Sequence, residues 1–171
     1  MKRIRGPVLL LILSLFQVTP VLARSDALIQ QEIEAQIAKE VKLHDTLIKV
    51  HVDQRQVVLT GKVRLYEQKL VSDRIAWTTI GVFEVDNEIQ VIPKRPVSDA
   101  AIKRKIGEIV KADERFRAAG VVVKVNNGEV FFTGNFLDFR DPSMLKHKIA
   151  EIEGVVAIKI NAAFLAQSSA E

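Results

Sequence analysis

Displaced by 73 residues, the chain falls on itself: Ser25-Asp26 on Ser98-Asp99, Ile29 on Ile102, Ile33 on Ile106 and Ile37 on Val110. Further along, Ile48, Val50 and Val52 fall on Val121, Val123 and Val125, while Val57, Leu59 and Gly61 fall on Val130, Phe132 and Gly134. Gly81-Val82 falls on Gly154-Val155. One gapless shift that matches this many apolar and glycine positions marks the duplication of a supersecondary unit, so the chain reads as two small modules rather than one domain. The boundary lies at 92–97, where Pro93-Lys94-Arg95-Pro96 can continue neither a helix nor a central strand. This places a first domain at 24–91, a linker at 92–97, a second domain at 98–165 and a tail at 166–171.

Each copy is predicted to open with a helix. Ser25 or Asp26, and likewise Ser98 or Asp99, can accept from the free N–H groups of a first turn. Apolar residues then recur at helical spacing, as Ile29, Ile33, Ile37 and Val41 in one copy and Ile102, Ile106, Ile109 and Val110 in the other. A hairpin follows. Val121, Val123 and Val125 alternate up to Asn127-Gly128, a pair that supplies the positive φ angles of a two-residue type I′ turn. That turn pairs Val125 with Val130 and Val123 with Phe132. The first copy pairs Val52 with Val57 and Val50 with Leu59 around Gln54-Arg55, and without Asn-Gly its hairpin is expected to be the less regular. A second helix is predicted at 66–80 and 143–153, with Gly81 and Gly154 as left-handed caps and Asp141 capping a helix that has Pro142 in its first turn. The last strands are predicted at 82–91 and 155–164. Each module is thus αββαβ in an α+β fold, and the helix crossing from second to third strand makes those two parallel within a mixed sheet.

Before the repeat, Lys2, Arg3 and Arg5 precede an apolar run from Val8 to Phe16 that is too short to span a bilayer. Val21-Leu22-Ala23 completes the pattern of a secretory signal at 1–23 cut after Ala23, with Ala27 as the second choice, and implies a periplasmic protein. The sequence has no cysteine, hence no thiol to acylate and no disulfide. Loss of the three basic residues lowers 25 basic residues to 22 against 21 acidic ones, so the exported chain lacks the global basic footprint of a nucleic-acid binder.

The order Ser-Asp, amphipathic helix, alternating valines, Asn-Gly-x-Val-x-Phe-x-Gly, then a helix closing on Gly-Val before a final strand resembles the BON domain. Both copies match, and tandem copies behind a signal segment resemble the osmotically inducible periplasmic, OsmY-like proteins. Arg55 departs from the turn glycine usual in that family. The resemblance implies two three-stranded mixed sheets, each packed under two helices, and a non-enzymatic role in envelope maintenance or stress through association with phospholipid membranes. A periplasmic protein-binding or chaperone-like module is the alternative.

The residues themselves offer little for catalysis. His44, His51 and His147 are scattered with no metal-ligand spacing. No serine stands in a Gly-x-Ser-x-Gly elbow and no glycine-rich phosphate loop is present. Asp138, Asp141, Glu151 and Glu153 fit the ordinary charge pattern around a helix. No enzyme, metal or cofactor is therefore expected. Two surfaces are singled out. Residues 92–117 hold eight basic residues against four acidic ones, and with Ile102, Ile106 and Ile109 facing the core, Lys103, Arg104 and Lys111 point outward. Together with Lys94 and Arg95 they are the candidate contact with an anionic phospholipid surface. The second is Phe131 with Val122, apolar on the sheet face turned away from the helices, where a covering partner or the other domain is expected; an envelope protein would serve.

Overall fold

The computed structural model describes residues 25–164. The signal segment with its two cleavage positions and the tail at 166–171 lie outside them, save that Ala27 falls inside the first helix. The first module runs α1 (Asp26–Lys39), a single 3-10 turn at Val41–Leu43, β1 (Leu47–Asp53), β2 (Gln56–Val63), α2 (Tyr66–Thr78), β3 (Glu84–Asn87) and β4 (Gln90–Val91). The second runs α3 (Asp99–Ala112), a short α4 (Glu114–Ala118), β5 (Val122–Asn126), β6 (Glu129–Phe136), α5 (Asp141–Ala150) and β7 (Ala157–Phe164). In both sheets the hairpin is antiparallel and the crossover strand pairs parallel with the hairpin's second strand, in the orders β1-β2-β3 and β5-β6-β7. The α+β fold of two αββαβ modules is the one read from the repeat.

The Ser-Asp pair divides its labour the same way twice. Ser25 and Ser98 are the N-caps, accepting from Leu28 N–H and Ala101 N–H. Asp26 accepts from both turn amides of the first hairpin, Gln54 N–H and Arg55 N–H, each at 2.9 Å. Asp99 does the same for Asn127 and Gly128, at 2.8 and 2.9 Å. One carboxylate thus fastens the helix start to the hairpin tip. This explains why the first hairpin is as regular as the second, contrary to expectation. Gln54 and Arg55 take the positive φ values of 47° and 66° without a glycine, and the register that includes Val52↔Val57 and Val50↔Leu59 runs unbroken from Leu47↔Lys62 to Asp53↔Gln56. Arg55 Nε also donates to Gly81 C=O at 2.8 Å.

Several boundaries differ from the pattern reading. Val41 leaves the helical stripe, because α1 ends at Lys39 and the 3-10 turn exposes it. Asp141 does not cap α5; it is the helix's first residue, buried against Arg115, while Asp138 accepts from Arg140 N–H in the approach to the helix. Gly81 and Gly154 have φ of 102° and 99° but stand three and four residues beyond their helices. At Gly154 the need is also steric, since a Cβ would lie 2.6 Å from Val97 Cβ in the linker. The third strand of the first module is broken. Ile89 turns into the core between β3 and β4, and side chains of neighbouring residues satisfy the bend: Asn87 Oδ1 accepts from Ile89 N–H and Lys69 Nζ donates to Ile89 C=O. The second module has Pro142, Ile160 and Ala162 where the first has Lys69, Asn87 and Ile89, and there the strand runs straight.

Each module buries its own core, built around Ile29, Ile33, Val57 and Leu59 in the first and Ile102, Ile106, Phe116, Phe132 and Leu145 in the second. Every such side chain contributes roughly 1.5–3 kcal/mol. The modules also touch. Tyr66 and Leu70 of α2 pack against the second core, and Lys42, paired with the buried Glu67, lies 3.8 Å from Glu151 of the second module. Burial at this junction raises the Tyr66 hydroxyl above its ordinary pKa, opposed by a hydrogen bond with the Ile158 backbone.

Replacing Asp26 by alanine is expected to lower unfolding stability by about 1–2 kcal/mol, the usual worth of hydrogen bonds to a charged group when it is partly exposed. Asp99→Ala should lose less, because Asn127-Gly128 favours the turn unaided; equal losses in denaturant titrations would show that the carboxylate is not what holds the Gln54-Arg55 turn. Tyr66→Ala and Leu70→Ala, each removing a half-buried side chain, should destabilise the second module by about 1–2 kcal/mol. Calorimetry of the double variant is then expected to show two transitions, and a single unshifted transition would mean that the modules do not support each other.

Candidate functional site

The second module's first helix is set apart by charge, not by shape. α3 carries Lys103, Arg104, Lys105 and Lys111 against Asp99 and Glu108, whereas α1 carries Lys39 against Asp26, Glu32 and Glu34. Residues Lys103, Arg104 and Lys111 correspond in the repeat to Gln30, Gln31 and Ala38. With Ile102 and Ile106 fully buried, all three basic side chains are exposed, and none has a carboxylate partner among the described residues. Eight residues at about 1.5 Å per residue put Lys103 and Lys111 about 12 Å apart along the helix.

Lys94 and Arg95 are exposed in the linker between Pro93 and Pro96, which flank a depression at the Asn127-Gly128 end of the module shared with Ser98 and Asp99. Lys103 lies on the neighbouring flank, in a second depression with Ala100, Lys124 and Asn126. Lys124 in turn lines a third, about 150 Å³ in volume, with Phe131, Glu129 and Lys159. The structure therefore joins the two surfaces picked from sequence into one, through Lys124 on the edge strand β5. Phe131 sits across from Lys124 on one side and Lys159 on the other. The Asn127-Gly128 pairing already sets Phe131 across from Lys124 in the sequence, whereas Lys159, a lone lysine in the last strand, is placed beside Phe131 only by the parallel register.

Phe131 and Val122 are 37% and 59% exposed, so the other domain does not cover them. The domain contact forms instead through α2, on the opposite, helical side of the sheet. The corresponding face of the first module is milder, with half-buried Val58 across from the exposed His51.

Arg115 and Arg117 do not join the outward basic group. Arg115 is held by Asp113 at 2.7 Å and by Asp141 at 3.2 Å, and the guanidinium keeps the Asp113 carboxyl below its ordinary pKa. Arg117 donates to Lys111 C=O at 2.8 Å. Asp138 is paired with Arg140, whose guanidinium and backbone N–H bring its pKa down to about 2. Since that value lies below the unfolded one, whatever this pair contributes is complete above the ordinary carboxylate range and is lost as pH falls towards 2. His44, His51 and His147 are exposed, and among the described residues no three His, Asp or Glu side chains converge as metal ligands would. No helix among the described residues is long and apolar enough to cross a membrane.

Two regions, 25–93 and 98–163, each match the BON domain. A comparison with curated proteins returns no match. Among solved structures, the chain is similar to the C-terminal domain of CdsD, the structural protein of the type III secretion system of Chlamydia trachomatis, at 18% identity and a TM-score of 0.34; 83% of this chain and 68% of that one are covered. A second structure of CdsD gives 20% identity and a TM-score of 0.33, covering 83% of this chain and 64% of that one. With matched regions that include nearly every element of both modules, the chain belongs to the BON-domain family, as a tandem BON-domain protein.

Proposed function

We propose that this is a non-enzymatic periplasmic protein of envelope maintenance or stress, and that its second BON domain rests on anionic phospholipid surfaces through the outer face of α3 and the adjoining Lys124–Phe131 face. The observation that carries this reading is the concentration of outward, unpaired basic side chains on one of two otherwise equivalent helices, Lys103, Arg104, Lys105 and Lys111 on α3 against Lys39 alone on α1. A solvated helix face needs no such bias, and the first module folds without one.

The energetics set the mode of binding. A basic residue near an anionic surface contributes about 1 kcal/mol, so the net excess of residues 92–117 supplies roughly 4 kcal/mol. That corresponds to about millimolar affinity, weak and salt-sensitive. An apolar side chain entering the interface adds to it, and Phe131, between Lys124 and Lys159, is placed to do so. Arranged this way, the domain would lie on a bilayer and leave it as ionic strength rises.

The test is sedimentation of residues 25–171, which include every element of the fold, with neutral and with anionic liposomes. Binding to anionic vesicles at low salt is expected, together with loss of roughly tenfold or more when Lys103, Arg104 and Lys111 are all changed to glutamate. Phe131→Ser should weaken binding less and leave its salt dependence in place. Undiminished binding by the triple variant would move the contact off α3, and no binding by the parent chain would favour the protein-binding alternative.

A further inference from the structure

The contact between the two domains is one-sided. Tyr66 and Leu70 of the first module pack on the second core, and Lys42 reaches Glu151. The hydrophobic side chains packed around the first core all come from the first module. In the repeat, Tyr66 corresponds to Phe139, and the receiving positions Glu151 and Ile158 correspond to Thr78 and Val85. Stacking two modules by this operation therefore leaves an inserting face unused on the second and a receiving face unused on the first.

Both unused faces are apolar. Phe139, at the Tyr66 position, is 77% exposed, with Leu137, 63% exposed, two residues before it, although Ser143 takes the place of Leu70; Trp77, next to Thr78, and Phe83, two residues before Val85, are 52% and 70% exposed. Modules that end a stack ordinarily present polar outer faces. The inserting face is also fixed in shape, for Asp138 grips Arg140 through its backbone N–H and its guanidinium, which lies 5.9 Å from the Phe139 ring centre. Such preorganisation reduces the ordering cost of docking. Charge favours the same pairing: residues 25–91 hold eight basic and 11 acidic residues, whereas residues 98–164 hold 11 basic and nine acidic. A second module is thereby attracted to a first module and repelled by its own kind.

We propose that copies of this chain associate head to tail, with Phe139 and Leu137 of one copy seated beside Trp77 and Phe83 of the next. The contact is heterologous, so each added copy presents a fresh inserting face, and rows longer than a dimer form unless the rotation closes a ring.

Sedimentation velocity of residues 25–171 from micromolar to millimolar concentration tests this. Species larger than dimers are expected to accumulate with concentration. Phe139→Asp and Trp77→Asp should each weaken association by roughly tenfold or more, as loss of an aromatic anchor does. Mixed in equal amounts, however, the two variants should form a 1:1 dimer that grows no further, because each retains the face the other lacks. Leu137→Asp and Phe83→Asp provide a second pair should one of the first fail to fold by circular dichroism. A parent chain that stays monomeric throughout, or single variants that still dimerise fully through a symmetric contact, would overturn the proposal. So would variants that associate like the parent while losing vesicle binding, which would assign these side chains to the membrane.

Discussion

The fold depends on a charge-assisted hydrogen-bonded contact made twice: a carboxylate one residue into a helix, accepting the two amides at the tip of a hairpin. A hairpin tip is where a small sheet frays first, and a helix N-terminus is where backbone donors lack partners. Placing serine and aspartate side by side closes both ends with adjacent residues. The helix axis is thereby set against the hairpin, which decides which face of α1 or α3 meets the sheet and which remains outside. Every surface discussed above inherits its position from that alignment, the basic face of α3 included.

The repeat made the architecture legible, since matching apolar positions at one shift constrain helix, hairpin and crossover together. The hairpin register followed from Asn127-Gly128 alone and transferred to the first copy by the same shift. What sequence could not supply was tertiary compensation. Gln54-Arg55 looked like a poor turn because the carboxylate that stabilises it lies almost 30 residues upstream. Similarly, nothing local in Ile89 announces a break, because the groups that satisfy the bend stand on α2 as well as in the strand. The basic face of α3 was visible as helical periodicity and the hairpin pairing set Phe131 across from Lys124, but the approach of Lys103 to Lys124 and of Lys159 to Phe131 required tertiary packing and the parallel register, and the expected cover of Phe131 by the other domain proved to be absent.

Duplication also explains how two equal folds come to carry different surfaces. Core and turn positions are held alike by packing, so divergence accumulates where side chains meet solvent. α1 has become acidic and α3 basic on the same scaffold. A weak surface attraction of the size estimated above becomes useful residence when several copies are linked, because the second contact is then made at high effective concentration.

The interruption between β3 and β4 has a consequence for solubility. An outer strand with a continuous row of free amides and carbonyls is a template on which foreign chains can add and from which aggregates grow. In the first module that row is cut at Glu88-Ile89: Glu88 N–H is turned back to Leu59 C=O, and both peptide groups of Ile89 are occupied by side chains. A bend that looks like a flaw in the repeat thus acts as a gatekeeper, and the module gives up part of a ladder in return for an edge that is hard to extend.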